Sequence, residues 1–361
     1  MKQFYILILI LIPVCQSSCG HTAGANSGAH AVETADAGKE LPLPEVPSTL
    51  VSPEERAAYV MRHFWDAMDF NDTKLCRDTA FMEQNFVNFI SVFPHADKPA
   101  GGPAFSVLVT KAAPNPDALR LISGMAELYL AYPNSPMRDE EYYIMFLEQL
   151  LGVSSLPESD RLRPAYQLEM AYKNRPGTTA GDFRFIGRDG RQSSLHDTRG
   201  ESLLLIFYDP DCGHCPEILR QVYDSPVIGQ NVAEGRMTVL AIYAEGNRKL
   251  WDETKDAMPR QWKVGFETGG ILEKGLYSLP AMPVIYLLDR DKTVLLKDAT
   301  VERVEEWTGK QREREGTESP YRCHAARKTL QGASSRAYGR NPYDGQPWSM
   351  TDRRVRKLYG P

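Results

Sequence analysis

Apolar residues recur at helical spacing through the first half of the chain. Order begins near Ser52, which is placed to cap a helix that starts at Pro53, and Glu55 completes a capping box. Four stripes follow, each with residues three or four apart as on one helix face: Ala57, Val60, Met61, Phe64, Trp65 and Met68; Met82, Phe86, Phe89 and Phe93; Ala118, Leu121, Ile122, Met125, Leu128 and Tyr129; and Tyr143, Ile144, Leu147, Leu150 and Leu151. With a last helix at 158–173, residues 48–175 are predicted to form an all-α domain of about five helices.

The helical spacing of apolar residues ends at Pro176 and Gly177. Ser202–Tyr208 is apolar throughout, which is typical of a central strand covered on both faces. The other predicted elements are a hairpin near 182–191, a helix starting near Pro216, a strand at Met237–Tyr243, a helix at 248–257, strands at 283–288 and 293–297, and a closing helix at 301–307. The order β-α-β-α-β-β-α predicts a second domain of the α/β class over residues 176–307.

The beginning of the chain is typical of a targeting segment. Lys2 precedes an apolar run over residues 4–14, about half of the roughly 20 residues that span a bilayer. Residues 1–18 are therefore predicted to be a lipoprotein-type signal peptide, with Cys19 lipidated; Cys15 is the weaker candidate, and ordinary signal cleavage is the alternative. Residues 19–47, rich in Ala, Gly, His, Thr and Ser, are predicted to be a flexible linker. The expected location is the cell envelope, facing the periplasm and anchored to a membrane by lipid.

Composition is ordinary for a globular protein, with 42% apolar and 25% charged residues, but the charge is unevenly distributed. Residues 308–361 contain twelve Lys or Arg and five Asp or Glu, so they carry +7 of a chain whose net charge is −5. This segment lacks an apolar period and is predicted to be a basic, disordered tail. A basic patch for a membrane or anionic polymer, and a foreign end, are the alternatives. Nothing upstream is basic enough to predict nucleic acid as a partner.

Cys212-Gly213-His214-Cys215 lies where the strand Ser202–Tyr208 gives way to a predicted helix. The positive end of the helix dipole favours the thiolate of the first cysteine, and a thiolate is the species that attacks another disulfide. A structural zinc site needs a second ligand pair at similar spacing, which the sequence does not offer, so no metal is predicted. Of the six cysteines, Cys76 is predicted to be a buried apolar residue, and a disulfide framework is not expected.

Three segments together resemble the thioredoxin superfamily, specifically the exported TlpA-like and AhpC/TSA-like thiol–disulfide oxidoreductases. They are residues 177–183 (GTTAGDF), 207–215 (FYDPDCGHC) and 282–289 (MPVIYLLD). The resemblance covers about residues 177–307 and implies a thioredoxin fold. The helical region resembles an uncharacterised α-helical domain that is joined to such modules in lipoproteins of Gram-negative bacteria, and this second resemblance implies no activity.

The resemblance also implies a role for individual residues. Cys212 would be the attacking thiolate and Cys215 the resolving thiol. Pro283 would follow a cis bond and fix the backbone of Met282 to pair with an extended substrate segment; an ordinary proline at the start of a strand is the alternative. The chemistry that the resemblance implies requires no cofactor.

His214 is predicted to tune the pair. An imidazole between the cysteines would stabilise the thiolate of Cys212 and so make the disulfide more oxidising, whereas Asp209 and Asp211 would act in the opposite sense. A solvent-exposed spacer is the alternative for His214. One departure from many thioredoxins is Ile206, which occupies the position of a buried aspartate that transfers the proton of the resolving cysteine.

A peroxiredoxin is the nearest competing enzyme, but its Pro-x-x-x-Thr/Ser-x-x-Cys pattern is absent, since Leu205 and Asp209 stand at the Pro and Thr/Ser positions. The sequence therefore predicts a thiol–disulfide oxidoreductase that exchanges Cys212–Cys215 with protein cysteines. Its expected partners are cysteine-containing client proteins, a thiol–disulfide redox partner in the envelope, and a membrane through the lipid anchor. The alternative is a lipid-anchored scaffold whose helical domain recruits a partner.

Overall fold

The computed structural model describes residues 40–244 and 246–318 of the chain. The predicted signal peptide, Cys19, the first part of the predicted linker and the chain after residue 318 lie outside these residues. Within the described ranges, no helix is long and apolar enough to cross a membrane.

The first half of the described chain is helical. Its helices are α1 (Pro53–His63), α2 (Thr73–Arg77), α3 (Thr79–Ser91), α4 (Gly101–Ala112), α5 (Pro116–Ala126), α6 (Glu140–Leu151) and α7 (Glu158–Tyr172). The capping box predicted for α1 is present, because the Ser52 hydroxyl accepts the Glu55 N–H and the Glu55 carboxylate accepts the Ser52 N–H. At its end, α5 continues into a π-helical turn, Glu127–Ala131.

Aromatic side chains from several of these helices form one core. Trp65, Phe86, Phe89, Phe105 and Phe146 are all fully buried in it, with rings packed edge-on or tilted against each other. Most residues of the predicted stripes therefore face this core, but Leu128 of the third stripe is 49% exposed and does not belong to it. The helix α4, which the stripes do not predict, carries Phe105 into its centre.

The second half is built on a seven-stranded sheet with the strand order β2-β1-β5-β4-β3-β6-β7. The strands are β1 (Arg184–Gly187), β2 (Gln192–Ser194), β3 (Ser202–Tyr208), β4 (Met237–Tyr243), β5 (Lys263–Glu267), β6 (Val284–Asp289) and β7 (Val294–Leu296). The helices are α8 (Cys215–Asp224), α9 (Pro226–Ala233), α10 (Arg248–Thr254) and α11 (Val301–Glu318). Strands β3, β4 and β5 are parallel, and β6 is antiparallel to β3.

The sheet separates two apolar clusters. One face, here called the thiol face, holds Ile206, Tyr243 and Trp251 together with Cys215 at the start of α8. The opposite face, here called the tyrosine face, holds Phe207, Tyr277 and Tyr286. Side chains alternate between the faces along β3, and its burial on both faces is the arrangement predicted from its unbroken apolar sequence.

In the described chain, the helical half has seven α-helices where about five were predicted, and the second half differs from the predicted elements at three places. Strand β5 and helix α9 are additional, and α11 continues past Trp307 to Glu318. The extension follows from packing, because Thr308 is buried and donates its hydroxyl to the Val304 carbonyl. Arg312 also reaches α9, donating to Gln230. The tail predicted to begin at residue 308 is therefore helical through residue 318.

Polar contacts join the helical half to the sheet. The ammonium group of Lys297, whose side chain is 4% exposed, donates to the carbonyls of Ala171 (2.9 Å) and Lys173 (2.8 Å) and lies 2.9 Å from the Glu140 carboxylate. Arg138 pairs with Asp298 next to them. Lys173 and Asn174 in turn donate to the carbonyls of Gly275 (2.7 Å) and Leu276 (2.8 Å), and these bonds fix the segment before β6 against the helical half.

Candidate active site

The register of the sheet brings the two predicted site segments together. Phe207 near the end of β3 lies opposite Val284 at the start of β6. Because these strands are antiparallel, the loop that follows β3 and the segment that precedes β6 emerge at the same edge. The loop carries Cys212 and leads into α8 at Cys215, and the segment carries Met282 and Pro283.

Asp209 organises the loop between β3 and α8. Its carboxylate accepts the Asp211 N–H (2.9 Å), and its carbonyl accepts the Cys212 N–H (3.1 Å). Its own N–H points to the sulfur of Cys215, with an N-to-S distance of 3.5 Å. Such turns are typical of aspartate, whose side chain bonds the backbone two residues on. One residue thus shapes the turn that places both thiols at the start of α8.

The two thiols have different surroundings. Cys215 is buried at the N-terminus of α8, and Cys212 is half-buried. Burial raises the pKa of the Cys215 thiol, because an apolar environment disfavours the thiolate, and the N–H of Asp209 only partly opposes this. Cys212 is thus the thiol that an incoming disulfide can reach, while Cys215 is held protonated beneath it.

Cys212 contacts the segment before β6 directly. Its thiol donates to the Met282 carbonyl at 3.2 Å, and the peptide bond between Met282 and Pro283 is cis, the geometry that the sequence resemblance implies. Met282 also packs against the apolar clusters of both sheet faces. Four predicted site residues, Cys212, Cys215, Met282 and Pro283, therefore form one group at the edge of the sheet.

His214 lies beside this group with an exposed side chain. It is the N-cap residue of α8, its carbonyl accepts the Ile218 N–H at 3.3 Å, and its imidazole makes no capping hydrogen bond. The side chain is therefore accessible to a partner that approaches Cys212. Its tuning role stays a prediction.

The structure also bears on proton transfer to and from Cys215. Ile206 is fully buried in the same cluster as Cys215 and has no group that could accept a proton. Glu217, which is close in sequence, pairs with Arg220 and accepts from Gln221, and its pKa is lowered by these bonds. Asp209 is the carboxylate residue that contacts Cys215 through its backbone. Sequence reasoning assigned it only a charge effect, although aspartate after a buried strand could have indicated the turn.

Cys76 lies apart from this site. It is buried in the core of the helical half, where its thiol donates to the Phe70 carbonyl at 3.5 Å and burial raises its pKa. Its predicted place as a small buried residue is confirmed. Among the described residues, no three His, Cys, Asp or Glu side chains converge as a metal site would require.

Comparison with known proteins agrees with this two-part organisation. Residues 18–174 match a family described as a domain of unknown function, DUF5106. A thioredoxin-like protein from Bacteroides caccae is 35% identical with a TM-score of 0.71, over 74% of this chain and 97% of that protein. No curated protein matches the chain.

Two further solved structures match shorter parts. The C-terminal domain of an uncharacterized protein from Bacteroides fragilis is 35% identical over 38% of this chain and 98% of its own, with a TM-score of 0.37. The thioredoxin domain of a thiol-disulfide oxidoreductase from Bacteroides vulgatus is 16% identical over 38% of this chain and 97% of its own, with a TM-score of 0.34. The match to the Bacteroides caccae protein extends through both halves, and the chain therefore belongs to the thioredoxin-like family, with a DUF5106 helical domain ahead of its thioredoxin-like domain.

Proposed function

We propose that this protein is a thiol–disulfide oxidoreductase that exchanges the Cys212–Cys215 pair with cysteines of client proteins. The observation that carries the proposal is the contrast between the two thiols at one edge of the sheet. Cys212 is half-buried against the Met282 carbonyl, and Cys215 is buried behind it with a raised pKa. The Cys212 sulfur can therefore react with a client disulfide first, and the buried Cys215 sulfur is available for the second exchange.

Reduction of a client would proceed in two exchanges. The Cys212 thiolate attacks one sulfur of the client disulfide, whose S–S bond breaks as a Cys212–client disulfide forms, and the leaving client sulfur takes up a proton. Cys215 then loses its proton and attacks the sulfur of Cys212, which releases the second client thiol and leaves a Cys212–Cys215 disulfide. Two electrons pass from protein to client, and the reverse sequence oxidises a client.

Cys215 needs a proton acceptor, because its pKa is raised. Asp209 is the candidate for this task, because its carboxylate is close enough for its negative charge to raise the pKa of the Cys215 thiol, and a water molecule could carry the proton between the two groups. The segment at Met282 would pair with the extended client chain beside its cysteine. The protein would need a redox partner in the envelope to restore its starting state.

The location proposed for this chemistry is the periplasm-facing side of the cell envelope. The support is the apolar run after Lys2 and the cysteine at position 19, which together favour export and lipid anchoring. An oxidising compartment is where protein disulfides form and persist. A thiol–disulfide exchanger would have clients there.

The test is exchange with a small chromogenic aryl disulfide and with a disulfide-containing protein. Cys212→Ser is expected to reduce the rate to that of the uncatalysed reaction, and Cys215→Ser to accumulate a mixed disulfide with the client. Cys76→Ala is the matched control and should exchange at the wild-type rate, since Cys76 lies in the helical core. Full activity in Cys212→Ser would overturn the proposal and favour the scaffold alternative.

The reduction potential of the pair would then give the direction. A value near roughly −270 mV, like that of thioredoxin, would make the protein a reductase. A value near roughly −180 mV would make it an oxidant or isomerase.

A further inference from the structure

A cleft with a volume of about 420 Å³ opens between the helical half and the segment that leads to β6. Its size falls within the range of sites that bind ligands or side chains. One wall includes Tyr132 and Tyr166 of the helical half, and the other includes Leu272 and Pro280. The π-helical turn Glu127–Ala131, a feature frequent at functional sites, borders the first wall.

Large apolar side chains stand exposed at the rim of this cleft. Tyr166 is 62% exposed, Tyr132 52% and Leu272 42%. Exposed apolar groups gathered around a concavity are typical of interaction sites, whereas scattered single ones are not. Tyrosine is also well suited to binding, because it offers a large apolar area with few rotatable bonds.

The charged side chains that line the cleft all form ion pairs within the protein. Each charged side chain is paired with an opposite charge: Glu127 with Arg163, Arg138 with Asp298, and Glu140 with Lys297. The cleft therefore presents a surface that is more apolar than polar, includes the uncharged polar side chains Gln167 and Ser278, and carries no uncompensated charge. A neutral, apolar partner complements such a surface better than a charged one, which would lose its hydration without gaining an ion pair.

The cleft lies near the candidate active site, because the segment that forms one of its walls leads on to Met282 and Pro283. Its wall ends at Pro280, two residues before Met282, so their Cα atoms are separated by at most about 7 Å. The Met282 carbonyl lies 3.2 Å from the Cys212 sulfur. A distance on the order of 10 Å from the cleft to Cys212 corresponds to about three extended residues. Bonds from Lys173 and Asn174 to the carbonyls of Gly275 and Leu276 hold this wall in place.

We propose that the cleft is a docking site for clients, and that it binds an extended, uncharged segment with aromatic or aliphatic side chains about three to five residues from the client cysteine. The inference rests on the proposed function and deepens it, since it assigns the helical domain to client selection. The client cysteine would meet Cys212 while its apolar neighbours fill the cleft between Tyr166 and Leu272.

The test uses the reduced full chain and peptides of about ten residues, each with one cysteine joined by a disulfide to a chromogenic aryl thiol. Cys212 attacks the peptide sulfur and the aryl thiolate leaves; Cys215 then displaces the peptide thiol and the internal disulfide forms. The peptides carry a Leu-Tyr-Phe block about three to five residues from the cysteine, before it or after it, or a Ser block in the same places. The measured quantity is the second-order rate constant for release of the aryl thiolate in a single turnover.

One of the two apolar peptides is expected to react about tenfold faster than its serine counterpart, as for an apolar group that fills a pocket. Tyr166→Ser and Leu272→Ser, one from each wall, should each remove most of this advantage. Leu43→Ser is the control, since Leu43 is an exposed leucine that does not line the cleft. All three variants should reduce the free aryl disulfide at the wild-type rate, because none of these side chains lies at the thiols.

Two results of the peptide experiment would overturn the inference while leaving the proposed function intact. In one, apolar and serine peptides react at equal rates, although the free aryl disulfide is reduced. In the other, Tyr166→Ser and Leu272→Ser keep the full preference for the apolar peptide, or Leu43→Ser loses as much of this preference as these two variants do. Loss of reaction with the free aryl disulfide in the wild type would instead overturn the proposed function. A dimer that Tyr166→Ser dissociates, with no peptide preference, would assign the cleft to a second copy and overturn the client proposal.

Discussion

The two faces of the sheet hold ionisable groups in opposite ways. On the thiol face, Cys215 is buried and Cys212 is half-exposed. On the tyrosine face, Tyr277 and Tyr286 are buried, and burial raises the pKa of each. The Tyr277 hydroxyl donates to the Gly181 carbonyl at 2.7 Å, and this hydrogen bond ties the side chain to the backbone before β1. One ionisable group of the thiol face is therefore accessible to a partner, whereas both tyrosines of the other face are enclosed in the packed core.

The charged groups that join the helical half to the sheet act on the tyrosine face. The contacts that join it to the sheet involve Lys297, Glu140, Arg138 and Asp298, and the last three of these carry charges that act on buried Tyr286. The redox pair and the domain junction are thus separated by the sheet, with Met282 packed against both clusters. Substitutions at the junction should change stability without changing thiol chemistry, and substitutions at the thiols should do the reverse.

The largest effect is expected for Lys297→Met. The Lys297 ammonium donates to two backbone carbonyls and to Glu140, so its removal takes the hydrogen-bond donor away from a half-buried carboxylate and from two carbonyls. Loss of one member of a buried ion pair costs about 3 kcal/mol of the free energy of unfolding. Denaturant unfolding of the full chain, followed by fluorescence, measures the change.

Lys249→Met provides the control, since Lys249 is an exposed lysine at the start of α10. It should change the free energy of unfolding by less than about 0.5 kcal/mol. The folded Lys297→Met protein should reduce a small aryl disulfide at the wild-type rate. Equal stability of the two variants would show that the junction contributes no more than an exposed lysine, and a slower exchange would show that the two faces are coupled.

Several features of this contrast could be predicted from the sequence, because they are local. The capping box at Ser52, the unbroken apolar strand β3 and the thiols at its end are all encoded within a few residues. The role of Lys297 could not be predicted, since the residues that accept its hydrogen bonds, Ala171 and Lys173, lie 126 and 124 positions away. Sequence periodicity carries no information on such a contact.

Two of the missed elements, α4 and β5, show how packing overrides local preference. Helix α4 begins Gly101-Gly102-Pro103, a composition typical of loops, yet Phe105 and Leu108 are fully buried in the helical core. Strand β5 contains Gly265, which lowers strand propensity. A Cβ there would lie 2.5 Å from the Phe185 ring and 2.9 Å from Ile242. The glycine is therefore required by close packing against β1 and β4, which only the folded sheet reveals.

The next largest effect is expected in the rates at which the two thiols are alkylated. In the reduced protein, iodoacetamide should alkylate Cys212 about a hundredfold or more faster than Cys215, because burial both shields Cys215 and raises its pKa. Peptide mass spectrometry after timed quenching measures both rates. Cys76, which is also buried with a raised pKa, is the internal reference and should react slowly like Cys215. Equal rates at Cys212 and Cys215 would remove the basis for their separate roles.

The smallest effect is expected at His214, which lies on the thiol face but is exposed. A partial or full positive charge near Cys212 stabilises its thiolate by about 0.3–1 kcal/mol at an exposed position. For a two-electron couple this corresponds to about 6–20 mV. His214→Ala should therefore make the reduction potential more negative by that amount, measured by equilibration with glutathione. His95→Ala, an exposed histidine of the helical half, should leave the potential unchanged. A shift of the opposite sign in His214→Ala would mean that the imidazole favours the disulfide form, and the charge argument for His214 would be wrong.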